Sequence, residues 1–99
     1  MDKSSPIKPI LAKINIPKLI PYLQAHPQSK TLKRIIRYSQ RAWDSEDQEE
    51  VFKLAVNVAY CLDTICDPNK ANYVKNEKQK QHLLKVSGEL FAATIGKKS

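Results

Sequence analysis

Apolar side chains in residues 29–43, SKTLKRIIRYSQRAW, recur at the three- and four-residue spacing that is typical of an amphipathic helix. Ser29 stands at the start of this segment and is a preferred N-cap residue. The pattern therefore predicts a helix that begins after Ser29 and runs to about Trp43. With each residue turning about 100°, an arc about 120° wide collects the expected core face, namely Leu32, Ile35, Ile36, Ser39, Ala42 and Trp43.

Residues 45–66 predict a second long helix, which is apolar around more than half of its circumference. Ser45 followed by Gln48 fits a capping box, and the acids crowded into the first turn suit the positive end of the helix dipole. This helix is expected at the centre of a bundle, with partners on several sides. A continuous helix with the preceding segment is the alternative, and the cap at Ser45 favours a break. Three side chains mark its narrow polar face: Lys53, Asn57 and Thr64.

Asp67 and Pro68 predict the N-cap and first position of a last helix, which is expected to end before Gly96. Residues 75–82, KNEKQKQH, are polar on every side, so they are expected either to project beyond the core or to form a loop. The expected apolar face of this helix consists of Leu83, Leu84, Leu90, Phe91 and Ile95, with Tyr73 further up.

Five of the six prolines lie in the first 27 residues. Because proline fixes φ and lacks a backbone donor, residues 1–14 are expected to form an extended basic arm. The segment IPKLIPYLQAH, residues 16–26, predicts a short helix that begins near Pro17. Together the patterns predict an all-α fold, a single bundle domain over residues 15–96 with three main helices and a short N-terminal one, followed by a basic tail at 97–99.

The composition excludes several classes of function. Two glycines are too few for a glycine-rich phosphate loop or a dinucleotide-binding fingerprint. Cys61 and Cys66 lie five residues apart, which is no metal-ligand spacing, and with only two histidines elsewhere no metal site or cofactor is expected. Neither histidine has an adjacent acid, and no Ser or Cys stands in an activating context. The chain is therefore predicted to be a non-enzyme without a small-molecule substrate.

The same sequence gives an expectation about the compartment. It contains no apolar run of about eighteen residues, the length that a membrane span needs. Lysines and prolines interrupt the N-terminal segment where a secretory signal needs continuous apolar residues. Two cysteines without a disulfide pattern fit a reducing environment. A cytoplasmic protein is the expectation.

The net charge of +7 is distributed unevenly along the chain. Residues 1–43 carry +8, residues 44–50 (DSEDQEE) carry −5, residues 51–67 carry −1 and residues 68–99 carry +5. Such segregation favours a directed electrostatic field and, in a small basic protein, a polyanionic partner.

The strongest signal within this charge pattern is a basic stripe opposite the apolar face of the helix at 29–43. Ordinary solvated faces mix charge signs and gain from Glu–Lys pairs one turn apart, whereas the stripe contains no acid. This favours contact with phosphates over a merely solvated face. The acids of residues 44–50 are expected to reach only its C-terminal end, so they neutralise it in part. The stripe lies within an arc about 100° wide and consists of Lys30, Lys33, Arg34, Arg37 and Arg41.

A second, thinner basic group is expected on the last helix, where Lys75, Lys78, His82 and Lys85 share an arc about 80° wide. A broad positive platform results if the two basic helices are neighbours with these faces on one side. Otherwise the second group is an ordinary solvated face, and His82 is an exposed histidine without a special role.

Two functional hypotheses of different classes follow. The first is a non-enzymatic, sequence-tolerant nucleic-acid-binding protein, with RNA ahead of DNA, in which the stripe contacts phosphates with help from Lys75, Lys78 and Lys85. The second is a protein–protein adaptor or small assembly subunit, for example a homodimer, whose basic and acidic surfaces pair between chains and whose central helix buries surplus apolar surface in the partner. Attachment to a membrane is disfavoured because the face opposite the stripe is needed for the core.

Overall fold

The computed structural model describes residues 6–98, and it describes side chains as far as residue 95. This part of the chain folds into helices without any strand, which confirms the all-α prediction. The elements are α1 (Ile7–Ala12), a 3₁₀ turn (Ile16–Lys18), α2 (Ile20–Ala25), α3 (Lys30–Asp44), α4 (Gln48–Cys66) and α5 (Glu77–Lys98).

Helix α3 begins where its sequence predicts. The hydroxyl of Ser29 accepts a hydrogen bond from the backbone N–H of Leu32 at 3.1 Å, which caps the first turn. The predicted core face is confirmed except at Ile36, which is only partly buried, and at Trp43, which is 51% exposed. This residue lies in the last turn at the edge of the apolar arc, where the neighbouring helix does not cover its indole ring. The buried residues of α3 are Leu32, Ile35, Ser39 and Ala42.

Helix α4 is the central helix of the bundle, as its apolar circumference predicts, and it packs against α3, α5 and α1. The break before it is confirmed, but the predicted cap is wrong. Asp47 is the N-cap and its carboxylate accepts from the N–H of Glu49 at 3.0 Å. Ser45 instead stabilises the turn before it, since its hydroxyl accepts from the N–H of Asp47 at 3.1 Å and donates to Glu50 at 2.8 Å.

The predicted start of the last helix at Asp67 and Pro68 is wrong. The carboxylate of Asp67 accepts from the N–H of Asn69 at 2.8 Å and forms a turn, and the chain then folds back along the end of α4. The backbone N–H of Val74 donates to the carbonyl of Ile65 at 3.1 Å, and the Val74 side chain is fully buried. A helix starting at Pro68 would lose this contact. Helix α5 begins at Glu77, capped by Asn76, and therefore includes most of the polar segment 75–82.

The buried face of α5 also differs from the predicted one. Leu84 is 41% exposed and Ile95 is 66% exposed. Because α5 packs on both α4 and α1, its inner face follows the space between two neighbours, and small or hydroxyl side chains fill part of it. The helix continues to Lys98, past the expected end before Gly96, and takes up residues 97 and 98 of the predicted tail. The buried residues of α5 are Leu83, Val86, Ser87, Leu90 and Thr94.

The N-terminal segment is not an extended arm over the residues that the structure describes; residues 1–5 of the predicted arm lie outside them. Helix α1 packs on α5, α3 and α4 and buries Ile7 and Leu11, and Ile14 in the turn that follows it is also buried. Pro6 and Pro9 fall at the N-cap and in the first turn, where the missing backbone donor is not needed. The helix predicted near Pro17 is split into the 3₁₀ turn and α2.

Within residues 6–98 none of the helices combines the length and the hydropathy that crossing a membrane requires.

Candidate nucleic-acid interface

All five members of the basic stripe lie on the solvent face of α3. Its inner face packs on the core, one flank lies against α4 and the other faces α1. An amphipathic helix with a single burial direction leaves its opposite face free, and here that face carries five cations and one acid, Asp44 at the C-terminal end of the helix. All five members of the stripe are exposed, namely Lys30, Lys33, Arg34, Arg37 and Arg41.

The acidic segment 44–50 neutralises one end of the stripe. The Arg41 guanidinium donates to the carboxylate of Glu50 at 2.9 Å, and both side chains are substantially exposed. Among the residues that the structure describes, the other four members of the stripe make no ion pair. Four cationic groups therefore remain available over the first two turns and the middle of α3.

A polar groove of about 430 Å³ runs between α3 and α4 along one border of the stripe. The side chains of Asn57 and Thr64 each donate to a carbonyl of their own helix at 3.0 Å, which leaves their oxygens free to accept. Tyr60 is 62% exposed and packs edge-on against Phe91, with ring centroids 5.1 Å apart. The groove thus places hydroxyl and amide groups beside a guanidinium. Its walls are Thr31, Arg34 and Tyr38 from α3 and Asn57, Tyr60, Cys61 and Thr64 from α4.

The two thiols have raised pKa values for a common reason. Burial raises the pKa of Cys61 above its ordinary value of 9.0, and the positive charge of Arg34 opposes part of that rise. Burial raises the pKa of Cys66 to about 11, with Lys80 lowering it and Asp63 raising it by smaller amounts. Both cysteines are free thiols. Since the thiolate is the reactive form, neither side chain has the environment of a nucleophile at neutral pH.

The second basic group is dispersed. Lys75 lies in the loop before α5, whereas Lys78 and Lys85 lie on the helix, and all three are exposed. The ring Nε2–H of His82 donates to the backbone carbonyl of Lys13 at 2.7 Å, so this histidine joins α5 to the end of α1. Lys78 and His82 also border a groove of about 640 Å³ together with Lys18 of the 3₁₀ turn.

The stripe and the second group do not form one platform. Helices α3 and α5 each pack along α4, and α1 packs on both from the other side. A broad positive surface would need the two basic helices to pack side by side, and no extensive packing joins α3 to α5 in the described part of the chain. The stripe on α3 stands as a surface of its own.

The structure also shows a site that the sequence pattern did not predict. A cavity of about 450 Å³ lies between α1, the 3₁₀ turn and α3, and is called the α1–α3 cavity below. The prolines of residues 1–14 predict an arm there and hence no cavity, although Ile7, Leu11 and Ile14 follow helical spacing. The cavity is lined by Leu11, Ala12, Asn15, Ile16, Pro17, Ile36, Ser39, Gln40 and Trp43.

Over residues 6–98 the structure brings together no group of three or more His, Cys, Asp or Glu side chains that could hold a metal ion. No protein-family model, no curated protein and no solved structure matches this chain.

Proposed function

We propose that the protein is a non-enzymatic, sequence-tolerant nucleic-acid-binding protein that uses the basic stripe of α3 to contact phosphates. The observation that supports this most directly is the absence of ion pairs at Lys30, Lys33, Arg34 and Arg37 within the described chain. Like charges held on one face repel one another, so they lower the stability of the free protein. Phosphates that neutralise these charges would remove the repulsion.

The dimensions of the stripe suit a nucleic-acid backbone. From Lys30 to Arg41 the helix rises about 16 Å, and a duplex carries one charge per about 1.7 Å of its axis, so the stripe spans several phosphates. Three of its five members are arginines, whose forked donors match phosphate oxygens. Phosphate contacts of this kind fix position without reading sequence.

The groove beside the stripe favours RNA over DNA. Thr31, Asn57 and Thr64 bring hydroxyl and amide groups next to Arg34, within the same groove. The ribose 2′-hydroxyl both donates and accepts, and it is the group by which proteins distinguish the two nucleic acids. A backbone held on the stripe would direct its sugars towards these side chains.

The test compares two double variants that lose the same charge. In the wild type, log affinity for an RNA duplex should fall linearly with log salt, with a slope of about −4 for four or five phosphate contacts. Arg34→Gln with Arg37→Gln should reduce the slope by about two units and weaken binding to all sequences alike. Lys18→Gln with Lys53→Gln removes two exposed lysines from other elements and should leave the slope nearly unchanged.

Two results would contradict the proposal. One is an R34Q/R37Q variant that folds normally and keeps the wild-type affinity and slope. The other is an absorbance ratio at 260 and 280 nm that equals that of pure protein after purification at low salt, combined with no binding to added RNA.

An apolar surface between α4 and α5 supports a second candidate function, self-association as an assembly subunit. Tyr60, Leu84, Phe91 and Ile95 are exposed or partly exposed there, beside a mainly apolar groove of about 280 Å³. Exposed aromatic and aliphatic side chains in one place are typical of interfaces. Light scattering should then show a dimer at tens of micromolar, and Ile95→Lys should return it to a monomer; a strictly monomeric wild type excludes this candidate.

A further inference from the structure

We propose that the α1–α3 cavity holds one unpaired nucleobase of the strand whose phosphates lie on the basic stripe. This inference rests on the proposed function and deepens it, because it makes the ligand a single strand. A base that is paired and stacked within a duplex cannot enter a side pocket.

Trp43 gives the cavity an aromatic wall that is already open to solvent. The side chain is 51% exposed, although tryptophan is the largest apolar side chain and is highly buried on average. Within the described residues its ring stacks on no other ring. An indole presented in this way is a stacking surface, and aromatic side chains that stack bases are the recurring feature of proteins that bind single strands.

The polar groups of the cavity suit the edge of a base. The side-chain amides of Asn15 and Gln40 have no hydrogen-bond partner among the described residues, and each offers both a donor and an acceptor. Ser39 adds a buried hydroxyl that is also without a partner there. Apolar side chains of α1, the 3₁₀ turn and Ile36 form the remaining walls. A nucleobase has this same combination of an apolar face and an edge of donors and acceptors.

The position of the cavity connects it to the stripe. Gln40 and Ile36 lie three residues after Arg37 and Lys33, and residues at this spacing on a helix are neighbours. The two basic side chains do not line the cavity, but each lies about one helical turn from a residue of its α3 wall. In a nucleotide one sugar separates the base from its phosphate, so a base in the cavity brings its own phosphate to these cations. The volume, about 450 Å³, falls within the range of about 300–1,000 Å³ that small-molecule sites occupy.

The fluorescence of Trp43 provides the test, because it is the only tryptophan in the chain. The full chain is titrated with single-stranded oligo(A) and oligo(U), with an RNA duplex of equal length, and with AMP alone. Single strands should quench the fluorescence and bind more tightly than the duplex, which should contact the stripe without quenching. AMP should quench only at far higher concentration, because it engages few of the phosphate contacts.

Three variants separate stacking from folding and from charge. Trp43→Leu should lower affinity for single strands by about 5- to 100-fold, the effect of losing one stacked base, with duplex affinity and salt slope unchanged. Trp43→Phe should restore most of the affinity. Leu84→Ala removes an exposed apolar side chain from α5, away from the stripe, the groove beside it and the cavity, and should have little effect on binding to single strands. Circular dichroism and thermal unfolding confirm that each variant is folded.

The outcomes distinguish this inference from the proposed function. If the wild type binds RNA but Trp43→Leu binds single strands as tightly, the cavity assignment is wrong and the stripe stands. If Trp43 is quenched fully by AMP while oligonucleotides do not bind, the cavity is a free-nucleotide site and the strand assignment is overturned. If neither RNA form binds, both proposals fail together.

Discussion

Helices α3 and α5 both carry several basic residues, but the two helices use their charges differently. On α3 the cations share one face with a single acid, the terminal Asp44, and only Arg41 is paired within the described chain. On α5 the polar face makes tertiary contacts, since His82 donates to the carbonyl of Lys13 and Glu89 pairs with the Lys13 ammonium at 3.1 Å. These contacts hold α1 in place. Glu89 and His82 thus join α5 to the rest of the fold, whereas the described lysines of α5, like the cations of α3 other than Arg41, make no ion pair within the described residues.

The difference follows from the number of neighbours that each helix packs against. α3 buries one face and exposes the opposite one to solvent, so the polar side chains on the exposed face are not needed for packing. α5 lies between α4 and α1 and must satisfy contacts in two directions. A basic face is therefore informative about function only after its tertiary contacts are known.

The largest expected effect concerns the register of α5. Leu90→Ala should lower the free energy of unfolding by about 2–5 kcal/mol, because Leu90 is fully buried and its loss leaves a cavity. Leu84→Ala should lower it by less than about 1 kcal/mol, since Leu84 is largely exposed. Urea unfolding of both variants measures the contrast, with Leu32→Ala as the corresponding change on α3. Equal losses for Leu84 and Leu90 would mean that α5 is rotated from the position described.

The two cysteines of α4 allow the two sides of this helix to be compared, because one thiol lies beside α3 and the other beside α5. Cys61 lines the groove with α3, whereas the Cys66 thiol contacts the carbonyl of Lys80 on α5 at 3.9 Å. We expect Cys61 to react with iodoacetamide at pH 8 at least about tenfold faster than Cys66, because Cys66 is more deeply buried and its pKa is raised to about 11. Mass spectrometry of the single Cys→Ala variants measures the two rates, and faster labelling of Cys66 would contradict the assignment.

Cys66 should also make stability depend on pH. Its pKa is raised in the folded state, so folding favours the neutral thiol, and the benefit is complete below the ordinary pKa of 9.0. As the pH rises from about 9 to 11, the unfolded thiol ionises first and the free energy of unfolding should fall. Cys66→Ala should make this decline less steep, and urea unfolding at several pH values measures the difference. Equal slopes in the two proteins would rule out the thiol as the cause.

Two buried serines, Ser87 and Ser39, should change stability in different directions when each is replaced by alanine, and by less than Leu90→Ala does. The Ser87 hydroxyl on α5 donates to the carbonyl of Ala59 at 3.1 Å, so Ser87→Ala should lower stability by about 1 kcal/mol. The Ser39 hydroxyl on α3 has no partner in the described chain, so Ser39→Ala should leave stability unchanged or raise it by up to about 1 kcal/mol. Thermal unfolding of the two variants provides the measurement. A destabilising Ser39→Ala would show that its hydroxyl is satisfied, for example by ordered water.

The smallest effect concerns the single ion pair of the stripe. Glu50→Gln removes the partner of Arg41 and should change stability by less than about 0.5 kcal/mol, because both side chains are exposed. It should nevertheless tighten RNA binding modestly and increase the salt slope, since a fifth cation becomes available. Glu49→Gln, which removes an acid that makes no ion pair with the stripe, is the matched control. Equal binding by the two variants would mean that Arg41 takes no part.

The sequence predicts α3 and the central position of α4 correctly because in each helix the spacing of the apolar residues alone determines which faces are buried. The Ser29 cap and the apolar spacing of α3 need no knowledge of distant residues. At Pro68 local rules indicated a helix start, but the backbone bonds to Ile65 and the buried Val74 determine the path of the chain there. These are tertiary contacts that no local pattern contains.

The two candidate sites differ in the same respect, because one depends on a local pattern and the other on tertiary contacts. The five residues of the stripe could be predicted because they lie on one helix with a fixed period. The α1–α3 cavity could not, because it forms only when Pro9 is accepted within a first turn and α1 packs beside Trp43. Prolines were interpreted as helix breakers where two of them, Pro6 and Pro9, sit at positions that a helix tolerates.

Because α1 packs on α5, its contacts can form only after the ribosome has made α5, which comes much later in the sequence. Lys13 and its partner Glu89 are 76 residues apart, so a ribosome that adds about 5–20 residues per second makes them about 4–15 s apart. During that interval Ile7, Leu11 and Ile14 lack the helix that helps to cover them. The nascent chain therefore exposes these apolar residues for several seconds before the helix that covers them has been made.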